Sequence, residues 1–128
     1  MEEYNPMVDP DSELWKMLDE DERITLVMAY HEAAGIDMPD DYAHAVLHVV
    51  VESQIAMGAT TPAEAVLRRL IKEKLDRHDA IHAIASVFVN HMHELLHVDD
   101  STVSNDDYYA ALANLTAEKW LRGDYADG

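Results

Sequence analysis

Residues 77–99 read RHDAIHAIASVFVNHMHELLHVD, and the rest of the chain is organised around this stretch. It is apolar on most sides, and its length allows about six helical turns. It contains five of the eight histidines in the chain. An earlier stretch, residues 41–57, repeats the pattern with His44, His48 and Glu52. The two stretches predict a pair of buried helices that face each other.

Working outward from this pair, the remaining sequence also shows helical periodicity. Apolar spacing and end signals predict a short helix from residue 12, a second over residues 19–34, and others over residues 39–57, 62–75, 76–97 and 108–122. No alternating strand pattern interrupts them. The fold class predicted is all-α, a bundle of five to six helices with a buried histidine-rich layer.

The chain reads as one domain. Pro6 and Pro10 discourage a helix at the start, so residues 1–10 are predicted to form an extended lead-in. Residues 11–123 form the bundle, and the acidic residues 124–128 form a frayed tail. Exposed Met and Tyr side chains in the first and sixth helices suggest a homodimer.

Composition narrows the function. With 26 acidic against 9 basic residues the formal net charge is −17, which argues against nucleic acid or an anionic membrane as a partner. The acidic N-terminus has no apolar centre, and no apolar run approaches membrane-spanning length, so we expect a cytoplasmic protein. The chain has no cysteine, which leaves imidazoles and carboxylates as metal ligands.

The histidine spacing indicates a metal site. His44 and His48 form one i,i+4 pair and His78 and His82 another, and residues four apart share one face of a helix. A return helix of roughly 21 Å would place the start of the fifth helix level with the first turns of the third. His31 ends the second helix and would reach the same layer.

The predicted ligands are His44, His48, His78 and His82, then Glu52, with His31 as a further candidate. Both pairs lie near helix N-termini, where the dipole favours the neutral imidazole that binds metal. Asp79 is a candidate general base, or a group that orients a ligand. The ligand types fit Fe, Zn, Ni or Mn, with Fe or Zn first. We expect redox, oxygen or hydrolytic chemistry on an unknown small molecule. The alternative is a non-enzymatic helical interaction protein whose histidines are structural.

Two short motifs suggest other chemistry. His93-Glu94-Leu95-Leu96-His97 matches the HExxH pattern of zinc peptidases, in which the glutamate activates metal-bound water. His78-Asp79 matches the dyad of HD-type phosphohydrolases, which are helical and metal-dependent. Both are kept as lesser alternatives.

Two resemblances also bear on the site. The order His31, His48-x3-Glu52 and His78-x3-His82 partly resembles hemerythrin-like oxygen-binding bundles, although the His-x4-Asp step of those proteins is missing. Residues 40–97, with LHVVVESQ, GATTPAEAVLRRL and DRHDAIHAIASV, resemble a family of short bacterial helical proteins with no assigned activity. That family has His-x3-His followed by Glu in one helix and His-[Glu/Asp]-x2-His in another, and a carboxylate is common near the position of Asn90. The resemblance implies roles for six residues: His44, His48, Glu52, His78, Asp79 and His82.

Overall fold

The structure, a computed structural model, describes residues 1–36, 40–97 and 104–123, without the side chain of His97. It confirms the all-α class, because no strand is present in these residues. The helices are α1 (Ser12–Met17), α2 (Glu20–Ala33), α3 (Asp41–Ala56), α4 (Ala63–Lys72), α5 (Arg77–His97), α6 (Asn105–Asn114) and α7 (Ala117–Leu121), with a 3-10 turn at Gly58–Thr60. The predictions for Pro39, for most of the loop before α6 and for the tail at residues 124–128 lie outside the described residues.

α3 links the two parts of the hydrophobic core. Its Ala45 and Val49 pack with Tyr4, Trp15 and the inner face of α2. Further along the same helix, its apolar side chains join a larger cluster that α4, α5, α6 and α7 complete. Because α3 is packed into both clusters, its backbone holds the side chains on its remaining surface in fixed positions.

The sixth predicted helix is in fact two helices. α6 ends at Asn114, Leu115 takes an extended conformation, and α7 begins after Thr116. The Thr116 side chain accepts a hydrogen bond from the Lys119 amide at 3.1 Å, and the Glu73 carboxylate accepts one from the Ala117 amide at 2.8 Å. These caps satisfy the first amides of α7 and stabilise the break. Tyr108, predicted to be exposed in this region, is buried.

The height at which α5 begins also differs from the prediction. Arg77, its first residue, lies beside Glu52 in the second half of α3, whereas His82 contacts His44. α5 therefore runs antiparallel to α3, because later residues of α5 contact earlier residues of α3. α4 has only 10 residues, about 15 Å of rise, and does not return as far as predicted.

None of the helices in the described parts of the chain is long and apolar enough to cross a membrane.

Candidate metal centre

Five histidines from three helices meet around His48. His31 comes from the last turn of α2, His44 and His48 from α3, and His78 and His82 from the first turns of α5. The centre of the His48 ring lies 5.3 Å from that of His31, 4.8 Å from His44, 5.2 Å from His78 and 5.1 Å from His82. The structure thus brings together all five histidines that the spacing singles out.

Within this cluster, two groups of three histidines have ligand atoms close enough to share an ion. One is His31, His44 and His48; the other is His48, His78 and His82; in each group the nitrogens lie within 4.8 Å of one another. Nε2 of His48 is 3.1 Å from Nε2 of His44 and 3.1 Å from Nε2 of His82. Nitrogens bound tetrahedrally to zinc at 2.0–2.1 Å would lie roughly 3.3 Å apart, so these separations are near those of ligands sharing one ion.

Tyr4 determines which nitrogen of His48 carries the proton. The Tyr4 hydroxyl donates its proton to Oε2 of Glu52 at 2.6 Å, and its oxygen lies 3.1 Å from Nδ1 of His48. Since the hydroxyl proton is donated to Glu52, the Tyr4 oxygen accepts a hydrogen bond from Nδ1–H of His48. In the neutral ring, Nε2 is then unprotonated and its lone pair faces the other histidines.

A buried ion pair holds Tyr4 and Glu52 in place. Nη1 and Nη2 of Arg77 donate to the two carboxylate oxygens of Glu52, each at 2.8 Å, and Nε of Arg77 donates to Asp9 at 2.8 Å. Glu52 is 1% exposed and Arg77 is 5% exposed. Such bidentate, charge-assisted contacts fix geometry as well as charge. The network runs from Asp9 through Arg77, Glu52 and Tyr4 to His48.

Glu52 is therefore placed differently from the predicted ligand row. It belongs to neither triad, and both of its oxygens are bound to Arg77 or Tyr4. The cause is the start of α5, which brings Arg77 rather than a histidine beside Glu52. Its contact with the histidine cluster passes through the Tyr4 hydroxyl.

Several buried polar atoms in the cluster have no hydrogen-bond partner among the described residues. They are both ring nitrogens of His31, Nε2 of His78 and Oδ1 of Asp41. Leaving a buried polar group unpaired costs roughly 1–3 kcal/mol. Because both ring nitrogens of His31 in one triad and Nε2 of His78 in the other are in this position, the donor set fits a cation better than a closed hydrogen-bond network.

The cluster strongly disfavours imidazolium. Burial, and then the neighbouring imidazoles, lower the pKa of His48 to about 2 and that of His82 to about 4. Burial also lowers the pKa of His31, His44 and His78. Neutral imidazole is the form that binds metal ions, so the folded chain presents ligands without first releasing protons.

The two triads cannot both be filled through His48. Its Nδ1 is engaged with Tyr4, and Nε2 has a single lone pair in the ring plane. The cluster can therefore hold only one ion that has His48 as a ligand.

An open pocket of about 310 Å³ reaches this cluster from one side. His44, His48 and His82 of the cluster line it. The other walls belong to α3 and α5, and their residues are Leu47, Ala85, Ser86, Val89 and Asn90. A catalytic metal site keeps one position for water or substrate, and this pocket supplies the access that such a position requires.

The other predicted functional residues lie apart from the triads. Asp79 is half-buried and belongs to neither triad, although its charge acts on His78, where it opposes the lowering of the pKa. His93 and Glu94 of the HExxH motif are exposed. His93 follows His82 by 11 residues, about 16 Å along α5, so the motif lies far from the clustered histidines.

Tyr4, Arg77 and Asp9 were not identified from the sequence as parts of the site. Tyr4 and Asp9 lie in a segment without helical periodicity, and Arg77 reads as an ordinary first residue of a helix. A charged residue at the start of a largely buried helix was the one available signal, because a buried charge requires a partner.

Comparisons with known protein families, with curated proteins and with solved structures find no match to this chain.

Proposed function

We propose that this protein binds one divalent transition-metal ion through a triad of neutral imidazoles that includes His48. In this proposal one coordination position faces the pocket and is available to water or a small ligand. The observation that carries it is the lone pair of His48: Tyr4 directs Nε2 towards the other histidines, and Nε2 of both His44 and His82 lies 3.1 Å away.

The ligand set favours zinc. Each triad consists of three imidazoles without a carboxylate. Three histidines with an open fourth position are a ligand set of catalytic zinc, whereas non-haem iron sites commonly combine two histidines with one carboxylate. Of the two carboxylates of α3 that flank the cluster, Glu52 is bound to Arg77, and Asp41 belongs to neither triad. Zinc is therefore the first candidate and iron the second.

Neutral ligands also favour a class of reaction. When bound, an ion with three imidazole ligands keeps its full positive charge and acts as a Lewis acid towards water or a carbonyl group. The chain's own residues would hold the ion, fix the His48 tautomer through Tyr4, and shape the pocket with the side chains of Leu47, Ala85 and Val89. This supports hydrolytic or hydration chemistry over oxygen or redox chemistry.

Elemental analysis of purified protein tests the proposal. The protein is stripped with a chelator, reloaded with zinc and desalted, alongside His48→Gln and, as a control, the exposed His93→Gln. We expect about one ion per chain in the wild type and in His93→Gln, and less than a tenth of that in His48→Gln with unchanged helical content. Full loading of His48→Gln, or no binding by the wild type, would favour the alternative of a helical protein with structural histidines.

A further inference from the structure

The pocket beside the histidines has an unusual wall for so acidic a protein. The chain has 26 acidic residues, yet no Asp, Glu, Lys or Arg lines the pocket in the described part of the chain. The three imidazoles are the titratable groups on the wall. The protein side chains of this wall therefore offer a ligand no ion-pair partner, and its contacts beyond the ion are apolar or hydrogen-bonding.

The wall divides into an apolar part and a small polar part. Leu47, Ala85 and Val89 offer hydrocarbon surface, and Ser86 and Asn90 offer polar groups. The Ser86 hydroxyl donates to the backbone oxygen of His82 at 3.0 Å, which leaves its oxygen able to accept a hydrogen bond from a ligand. Pockets that bind small molecules combine mostly apolar walls with a few convergent polar groups in this way.

The volume limits the size of the ligand. A pocket of about 310 Å³ is at the lower end of the range for small-molecule sites. At about 30 Å³ per atom, the share of one water molecule in the liquid, it takes roughly ten non-hydrogen atoms. That is a molecule with one donor group and a short hydrocarbon part.

We infer that this pocket binds a small molecule, with one oxygen or nitrogen donor directed at the ion and a short apolar group against Leu47, Ala85 and Val89. The inference rests on the proposed metal site and adds the class of ligand to it.

A matched pair of probes tests the contact with the apolar wall. Isobutyramide and formamide carry the same amide donor, but only isobutyramide has a branched hydrocarbon group. The protein is loaded with cobalt(II) in place of zinc, and each probe is titrated while the visible absorption of the cobalt is recorded. We expect isobutyramide to change the spectrum with a dissociation constant at least tenfold lower than that of formamide, because its hydrocarbon group is buried against the wall. Equal or tighter binding of formamide would overturn the inference.

Variants on α5 locate the binding. Val89 lies on the pocket wall and is 43% exposed, so Val89→Phe can narrow the pocket without disturbing the core. Met92, 39% exposed and not on the wall, provides the control Met92→Phe on the same helix. We expect Val89→Phe to weaken isobutyramide binding at least tenfold and Met92→Phe to leave it unchanged. Equal effects of the two variants would overturn the inference.

The same experiment distinguishes failure of the metal site from failure of the ligand class. If the protein takes up no cobalt, no visible spectrum appears, and the proposed function is overturned together with the inference. If the cobalt spectrum appears but isobutyramide does not change it, the inference alone is overturned.

Discussion

At the scale of single residues, the site depends on one hydroxyl group. Tyr4 donates to Glu52 and accepts from His48, and burial, together with the Glu52 carboxylate, raises the pKa of Tyr4 well above its usual value. The hydroxyl therefore keeps its proton at neutral pH. A partner of this kind orients a ligating imidazole and increases its affinity for metal.

Removing the Tyr4 hydroxyl is expected to weaken metal binding without abolishing it. In Tyr4→Phe the ring remains, but Nδ1 of His48 loses its partner, and both tautomers become available. We expect a 10- to 100-fold loss in zinc affinity, measured by competition with a chromophoric chelator. Tyr109→Phe on α6 is the control, and equal affinities for wild type and Tyr4→Phe would contradict the role given to the hydroxyl.

Glu52 and Arg77 are expected to act on stability more than on metal content. Arg77→Met leaves the Glu52 carboxylate buried without its ion-pair partner, which should lower the free energy of unfolding by about 3–5 kcal/mol. Urea denaturation of the metal-free protein measures the loss. Glu52→Gln should still bind one ion per chain, whereas loss of the ion in Glu52→Gln would show that Glu52 is a ligand.

At the scale of elements, three helices supply the ligands, and the two triads use them differently. His31 of α2 completes one triad with the α3 pair, and His48 of α3 completes the other with the α5 pair. Since His48 binds one ion, only one of these arrangements is occupied at a time. Substituting two histidines of one triad at a time therefore shows which helices the ion links.

Two double variants distinguish the triads. His31→Gln/His44→Gln removes two ligands of the first triad, and His78→Gln/His82→Gln removes two of the second. We expect one double variant to lose at least 100-fold in zinc affinity and the other less than tenfold, measured by chelator competition. Equal losses in both would contradict coordination by a single triad.

At the scale of the whole molecule, the buried histidines connect stability to pH. The pKa of His48 is about 2 in the folded chain, against about 6.5 for an unfolded histidine. Below pH 6.5 the unfolded chain therefore takes up a proton that the folded chain does not, and unfolding becomes easier as the pH falls. Above pH 6.5 His48 is neutral in both the folded and the unfolded chain, so it does not make the free energy of unfolding depend on pH.

We accordingly expect the metal-free protein to lose stability between pH 6.5 and pH 4. His48 alone contributes up to about 1.4 kcal/mol per pH unit in this window. Urea denaturation at a series of pH values gives the slope, which should be shallower for His48→Gln and unchanged for His93→Gln. Identical slopes for the wild type and His48→Gln would contradict the burial of a neutral imidazole.

Some of this architecture could be read from the sequence, for physical reasons. The i,i+4 spacing of His44 and His48, and of His78 and His82, fixes each pair on one helical face, and the strongly apolar character of α3 and α5 requires that both be buried. The position of His31 near the end of α2 followed from its apolar stripe. These local rules were enough to select the five clustered histidines.

The remaining features depend on tertiary geometry. The length of α4 decides which turn of α3 the start of α5 lies beside, and an α4 about one turn shorter than predicted placed Arg77 next to Glu52. The break at Leu115 has no Gly or Pro to mark it and depends on Glu73 from α4. Tyr4 reaches His48 across 44 residues of sequence, a contact that no local pattern predicts.

Anomalous diffraction from crystals of the zinc-loaded protein, recorded at the zinc absorption edge, tests the central claim most directly. The expected result is one strong peak per chain, about 2.0–2.1 Å from Nε2 of His48 and from one nitrogen of each of two further histidines of the same triad. A peak at His93, at surface carboxylates, or at Glu52 with the His48 ring turned away would contradict it.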